Sequence, residues 1–570
     1  MPALLLAVLL AACSTSPSRQ AGPGGGSVQP GGTLVAAIRS EPRTFNRYAS
    51  RDLTTEIISR LTQDKLIRIN RATDQIEPRL ADRWTRSADG LEYTLHLRPG
   101  VEFSDGVPFT SADVLFSFKA VYDPKTASPL GDAMRVGGRP LQVSAPTPST
   151  VVIRFPSPFA PGLRLLDNLP ILPRHLLQKA LDQGTLASAW GPATPPSQMA
   201  GLGPFVLSEY QPGQRLVFTR NPHFWGKDAR GRPLPYLDRL ILDIVPDQNA
   251  ELLRLEAGQI DMTTDAVRPE DYRSLKQAAD QGRVKLIDLG VGLNADSLWF
   301  NLNRKSKAGD PRAAWLQSEA FRRAISYAVD RRRFADTVYL GEGVPVYGPI
   351  SPANHTWFWT GTPETPYDPA RARALLAGLG LTDRQGNGRL EDRAGRPVRF
   401  TLLTAKGSTA LERGASVIRD ALAKVGVTVD VVGLDVGALV QRFTTNAYDA
   451  VYFSVYSTDT DPALQLDFWL SSGSAHLWNF GEQTPATPWE AQIDDLMRRQ
   501  VAAPRLADRQ ALFDQVQKIF AEHLPVLQFV APRIYVAMST RVTNATPALQ
   551  RPQLLWNPEV LAVRGSSGTR

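Results

Sequence analysis

The chain has 570 residues, too long for one ordinary domain at about 100–200 residues each. Hydrophobic residues make up 43% and charged residues 21%, which excludes general disorder and a polytopic membrane protein. Lys+Arg 64 against Asp+Glu 56 leaves +8, but the 52 arginines are scattered among acids rather than gathered into runs, so no nucleic-acid partner is expected. The single cysteine is Cys13. The body therefore holds no disulfide, thiol nucleophile or cysteine metal site.

In chain order, Leu4 to Ala12 is an apolar run far too short to span a bilayer, which takes about 20 residues. It ends in small residues before Cys13, as an export signal does. Leu10-Ala11-Ala12-Cys13 resembles the lipobox of bacterial lipoproteins, although no Lys or Arg precedes the run. The resemblance implies lipidation of Cys13 and removal of what precedes it. Residues 14–32, rich in Gly, Pro and Ser, read as a flexible tether, and 564–570 as a disordered tail.

The body opens with a buried strand, Leu34 to Ile38, and a turn at Glu41-Pro42. A helix is expected over Ile57 to Leu66. Glu92 to Arg98 alternates as a half-buried strand ended by Pro99-Gly100. Thr110-Ser111-Ala112-Asp113 forms a capping box before the helix face Val114, Leu115, Phe118 and Val121. Residues 123–200 are rich in Pro and Gly around strands at Leu141 to Val143 and Val151 to Phe155. Strands follow at Phe205 to Leu207, Leu216 to Arg220 and Leu237 to Val245, then a short helix over Ala250 to Ala257.

Val284 to Leu289 is a strand. Gly290-Val291-Gly292-Leu293-Asn294-Ala295 fits a G-x-G-x-x-A fingerprint, but a strand pattern, Ser297 to Leu302, follows where a dinucleotide site needs a helix. The nucleotide reading is rejected. Phe321, Ala324, Ile325, Ala328 and Val329 make an amphipathic helix, and Asp368-Pro369 caps another. Arg399 to Thr404, Leu411 to Val425 and Val427 to Val432 form a βαβ unit, which implies a parallel sheet. A final helix carries Leu512, Phe513, Val516, Ile519 and Phe520 and stops at Pro525. The whole is mixed α/β.

Little in the sequence announces chemistry. The six histidines stand apart, with no H-E-x-x-H pair, and neither a G-x-S-x-G elbow nor a P-loop occurs. Asp383 to Glu391 resembles the start of a calcium loop, but Ala394 stands where the bidentate glutamate belongs. No catalytic residue, cofactor or metal is expected, although a secreted hydrolase assembled from distant residues stays open as a reading from another class.

Four blocks carry a resemblance. They are Leu66-Ile67-Arg68-Ile69-Asn70 followed by Ile76-Glu77-Pro78-Arg79-Leu80-Ala81-Asp82-Arg83-Trp84 and Leu97 to Val114; Gly203-Pro204-Phe205 with Arg220 to Trp225; Phe321 to Arg331; and Tyr367-Asp368-Pro369 with Ala374-Leu375-Leu376. In this order they resemble the family 5 extracellular solute-binding proteins, the peptide, nickel and opine receptors of ABC importers, from about Leu34 to Val563. The resemblance implies a two-lobed periplasmic-binding-protein-like fold, type II, of the large cluster with an extra domain, closing about a hinge. On this chain lobe one is placed at 33–71, 201–285 and 525–563, the extra domain at 72–200, and lobe two at 286–524. The blocks themselves are mostly turns and caps.

The resemblance implies capture without chemistry, most naturally of peptides. An opine, oligosaccharide or metal chelate is the alternative within the class. The partners implied are an ABC permease and ATPase, with membrane contact through the lipid anchor only. The protein is expected to be monomeric, exported, and held on the outer side of the cytoplasmic membrane. In peptide-binding relatives an aspartate three before an acidic-Pro pair meets the ligand's ammonium. Here that position is Thr458 and Asp459 is one place later, so either the loop is one residue shorter and Asp459 serves, or the ligand lacks that amine. The structural alternative for Asp459 is a loop cap. Tyr456, Trp469, Trp478, Trp357 and Trp359 are candidate pocket walls, and Glu41, Asn46 and Tyr48 are candidates from the loop after the first strand.

Overall fold

The computed structural model describes residues 29–455 and 459–564. Expectations that fall on Cys13, the tether up to residue 28, Tyr456, Thr458 and the tail from residue 565 lie outside the described residues. Among the described residues no helix is long and apolar enough to cross a membrane.

Two main sheets divide the body. The first has eight strands in the order Phe205–Gln211, Arg215–Arg220, Arg239–Ile244, Thr33–Ile38, Met262–Thr263, Val530–Ser539 and Val284–Val291, with Gly343–Pro345 also paired to Val530–Ser539. Its opening strand runs parallel to Arg239–Ile244, in register from Thr33↔Arg239 to Ile38↔Ile244. The second sheet has five strands, ordered Thr428–Leu434, Arg399–Ala405, Ala450–Ser454, Asp296–Phe300 and Val526–Gln528. Its Arg399–Ala405 and Thr428–Leu434 are parallel and joined by the helix Thr409–Ala423, the expected βαβ unit. A four-stranded antiparallel sheet, with Ala81–Arg86, Glu92–Leu97, Thr150–Arg154 and Gln142–Thr147, builds the β-rich extra region.

The local rules hold where sequence chemistry is strong. Thr110 caps Ser111–Tyr122 while Asp113 reaches back to the Thr110 N–H, a complete capping box. One expected helix shifts: it spans Leu53–Thr62, because Asp52 accepts the Thr55 N–H and so sets the start, while Gln63 turns extended and ends it. Three expected boundaries move as well. The 71/72 break falls inside the hairpin Ile67–Ile69/Ile76–Pro78. The 285/286 break falls inside Val284–Val291, which stays in the first sheet throughout. The 524/525 break comes too early, because Val526–Gln528 pairs with Ser297 to Trp299 in the second sheet. A strand cannot be divided between bodies without giving up its ladder, so the crossings sit between strands, at 292–295 and at Phe529.

The family blocks turn out to be fasteners. Asn221 donates to the Gly203 carbonyl at 2.8 Å. Arg79 grips Asp64 with two 3.0 Å bonds, the Trp225 indole donates to Asp64 at 3.1 Å, and Arg98 lies 4.2 Å over the Trp225 ring. Arg331 is buried, and its guanidinium donates to the carbonyls of Val346, Gln528 and Ser326. It thereby ties the helix Arg331–Val338 to the strand next to the second crossing.

Candidate functional site

A cleft of about 1560 Å³, counting the solvent at its mouth, lies between the second sheet and the segment 129–168. The first crossing lines it through Asn294 and Ala295, and the strand ends beside the two crossings add Ser297 and Gln528. Opposite walls come from the extra region, through Asp132, Arg135 and Phe159, and from the second lobe, through Leu464, Asp467 and Trp469. Ligands of open α/β sheets sit beyond strand ends where the chain leaves the sheet, and Ala450–Ser454 ends at this cleft with Val455 on its wall.

The cleft carries both signs of charge. Burial raises the Asp467 carboxyl above its usual range, with Arg51 pulling it down and Asp132 pushing it up. Arg51 and Asn168 are shared with an adjoining basic recess of about 1080 Å³, counting solvent, into which Arg47, Arg60, Lys65 and Arg71 also face. Glu56 and Asp167 are its acids: Glu56 pairs with Arg60 at 2.6 Å and Arg47 at 3.4 Å, and Asp167 with Arg71 at 3.0 Å. Cations outnumber acids there, and burial lowers the Lys65 ammonium to about 8. The arrangement can hold a ligand with separated opposite charges and an apolar body. The Ser297 hydroxyl donates to Gln528 Oε1 at 2.8 Å rather than to a base.

The sequence candidates are placed unevenly. Trp469 backs the cleft wall and is only 1% exposed, edge-on to Phe468 and Phe513, and its indole nitrogen has no hydrogen-bond partner among the described residues. Trp478 is fully buried behind it, donating to Glu490 at 3.0 Å. Trp357 is buried under the Arg509 guanidinium at 4.8 Å, and the Trp359 backbone N–H donates to Gln517. Asn46 donates to the Leu186 carbonyl and Tyr48 to the Pro170 carbonyl, both buried. Glu41 accepts from the Tyr210 hydroxyl and the Gly213 N–H, which fastens its loop to the Phe205–Gln211/Arg215–Arg220 hairpin.

Asp459 lies outside the cleft lining. It is buried and accepts from Arg164 Nη2 at 2.8 Å, and that guanidinium also reaches Asp74 at 2.7 Å. Burial raises the Asp459 carboxyl to about 6 despite Arg164. Arg51, Asp132 and Asp467 went unnoticed in the sequence. The one signal was position: Asp467 follows the Asp461-Pro462 turn in the loop after a second-lobe strand.

The family model for bacterial extracellular solute-binding proteins, family 5 (middle), matches residues 75–476. A probable ABC transporter-binding protein of Deinococcus radiodurans is 27% identical over 550 residues, 93% of this chain and 91% of its own. Oligopeptide-binding protein AppA of Bacillus subtilis is 26% identical over 560 residues, 94% and 93% of the two chains. The solved structure of AppA from Bacillus subtilis, in complex with a nonapeptide, matches with a TM-score of 0.76 at 24% identity, covering 95% of this chain and 100% of that one. At that identity it shows the shared fold.

Proposed function

The chain belongs to the bacterial extracellular solute-binding proteins of family 5, and from that premise we propose that it captures peptides in the interlobe cleft and hands them to an ABC permease and its ATPase. The observation that carries this reading is the cleft itself. It is bounded by both lobes beside the two crossings, with Asp132 and Asp467 available to an α-ammonium, and Arg51 and Arg135 to a carboxylate. A ligand that touches both lobes binds the closed arrangement better than the open one, and that difference alone drives closure. The oligopeptide-binding relative supports peptides as the class. Cys13 is the proposed lipid anchor, holding a monomer on the outer side of the membrane and needing no catalytic step.

A thermal-shift screen of the full chain tests the ligand class. A peptide at 100 times its dissociation constant should add about 2.7 kcal/mol of stability. Peptides of two to six residues are expected to raise the melting temperature; a shift from an opine or oligosaccharide with none from peptides would overturn the reading. Turnover of a peptide or ester panel would point to a hydrolase instead. For the anchor, mass spectrometry of membrane fractions is expected to find Cys13 lipidated, and an unmodified thiol would refute it.

A further inference from the structure

Behind the cleft wall the second lobe buries three side chains from one fifteen-residue stretch, spaced too irregularly to share a helix or strand face. His476 sits in the loop whose neighbours Ala475 and Leu477 line the cleft, Glu482 follows in the next turn, and Glu490 lies in the first turn of the helix Pro488–Ala502. His476 Nε2 is 3.5 Å from Glu482 Oε2 and 3.7 Å from Glu490 Oε1, with side-chain exposures of 1%, 6% and 2% in that order. The three donor atoms lie within 4.8 Å of one another. These distances are too long for hydrogen bonds and close to what a shared cation needs: donors about 2.0–2.1 Å from a tetrahedral metal stand about 3.3–3.4 Å apart.

The hydrogen-bond pattern argues the same way. Among the described residues, neither ring nitrogen of His476 and neither carboxylate oxygen of Glu482 makes a hydrogen bond of ordinary length and angle. Leaving such groups buried and unpaired is costly, more so when they are charged. Glu490 is held in place from outside the cluster, accepting from the Trp478 indole at 3.0 Å and the Thr487 hydroxyl at 2.7 Å. These are the outer contacts that orient a metal-binding carboxylate.

We propose that His476, Glu482 and Glu490 bind a first-row divalent metal ion, of which zinc best suits one nitrogen and two carboxylate ligands with room for a water. The ion would pin the loop 474–477 against the helix Pro488–Ala502 and so stiffen one wall of the cleft. This inference does not depend on which solute the cleft takes.

The test uses tag-free full-length protein stripped with EDTA, desalted, and offered zinc, nickel or manganese in turn. Zinc is expected to stay bound at about one equivalent per chain after desalting and to raise the melting temperature. Glu482→Gln, and independently His476→Gln, should abolish both effects while circular dichroism and elution volume stay as in the parent. If one variant fails to fold, the other decides. No metal retained by the stripped parent, or equal retention by a folded variant, would refute the site and leave an imidazolium between two carboxylates.

Discussion

The contact between Arg164 and Asp459 joins the extra region to the second lobe, so on the two-lobe reading it exists only when the cleft is closed. Arg164→Ala then measures closure. In the closed form burial holds the Asp459 carboxyl at about 6, against an ordinary 3.8. The sign follows: a raised carboxyl means the closed form holds the proton more tightly, so this group favours closure fully below about pH 4 and loses that contribution as pH rises through 6. At pH 7 its ionised, buried form already costs about 3 kcal/mol relative to an exposed aspartate. Without Arg164 the carboxyl would instead stay protonated, and at pH 7 that costs at most about 4 kcal/mol. The added loss is capped at about 1 kcal/mol, or about tenfold in closure and in solute affinity. The cap rises by about tenfold with each further pH unit and vanishes at pH 5, where Asp459 is protonated in the closed parent. Titration calorimetry of parent and variant with one peptide at pH 5, 6, 7 and 8 reads the ratio of affinities. A ratio that does not change with pH would show that Asp459 stays buried in the open form and that the contact is no clasp.

Three further outcomes follow from other contacts. Burial alone would raise the Glu559 carboxyl, but Arg68 at 2.6 Å and Arg79 at 3.0 Å hold it down to about 2. A lowered acid stabilises above its unfolded value near 4.5, so about 3 kcal/mol should be lost between pH 5 and 2; a folded Glu559→Gln whose acid-unfolding limb keeps the parent's slope would contradict this. A Cβ on Gly203 would meet Thr62 and Gln63 backbone atoms at 2.4–2.6 Å, so Gly203→Ala should destabilise by about 1–3 kcal/mol in urea melts. Asp467→Asn should weaken a free peptide about tenfold to a hundredfold and leave its N-acetylated form unchanged in calorimetry; equal losses for both would remove Asp467 as the ammonium partner.

Much of the fold was legible because its signals are local. The capping box at Thr110, the amphipathic stripe on Phe321 and the βαβ pattern from Arg399 each follow from periodicity and backbone chemistry within a few turns. The family blocks were legible for the same reason, since Gly203, Asn221 and Arg79 serve close backbone approaches and buried ion pairs. The crossings were missed by several residues because hydropathy marks a strand without saying which sheet it joins. Val526–Gln528 and Val530–Ser539 are both buried, yet they pair in different sheets on either side of Phe529.

The cleft residues were illegible for a different reason, which bears on how such a receptor acquires its ligand. Asp132, Arg51, Asp467 and Gln528 lie in segments without a shared period, and they meet only because the two crossings bring the lobes together. Aromatic richness was a poor guide here, since Trp478 and Trp357 are packed in the second lobe's core. His476 makes the same point from the other side. It looks isolated in sequence because Glu482 and Glu490 lie outside helical spacing from it, yet one loop and one helix N-terminus bring all three within 4.8 Å. Polar groups recruited by topology can change one at a time without disturbing any strand or helix. Selectivity can therefore change at the cleft while the fasteners at Asp64, Gly203 and Arg331 keep the packing of their own segments intact.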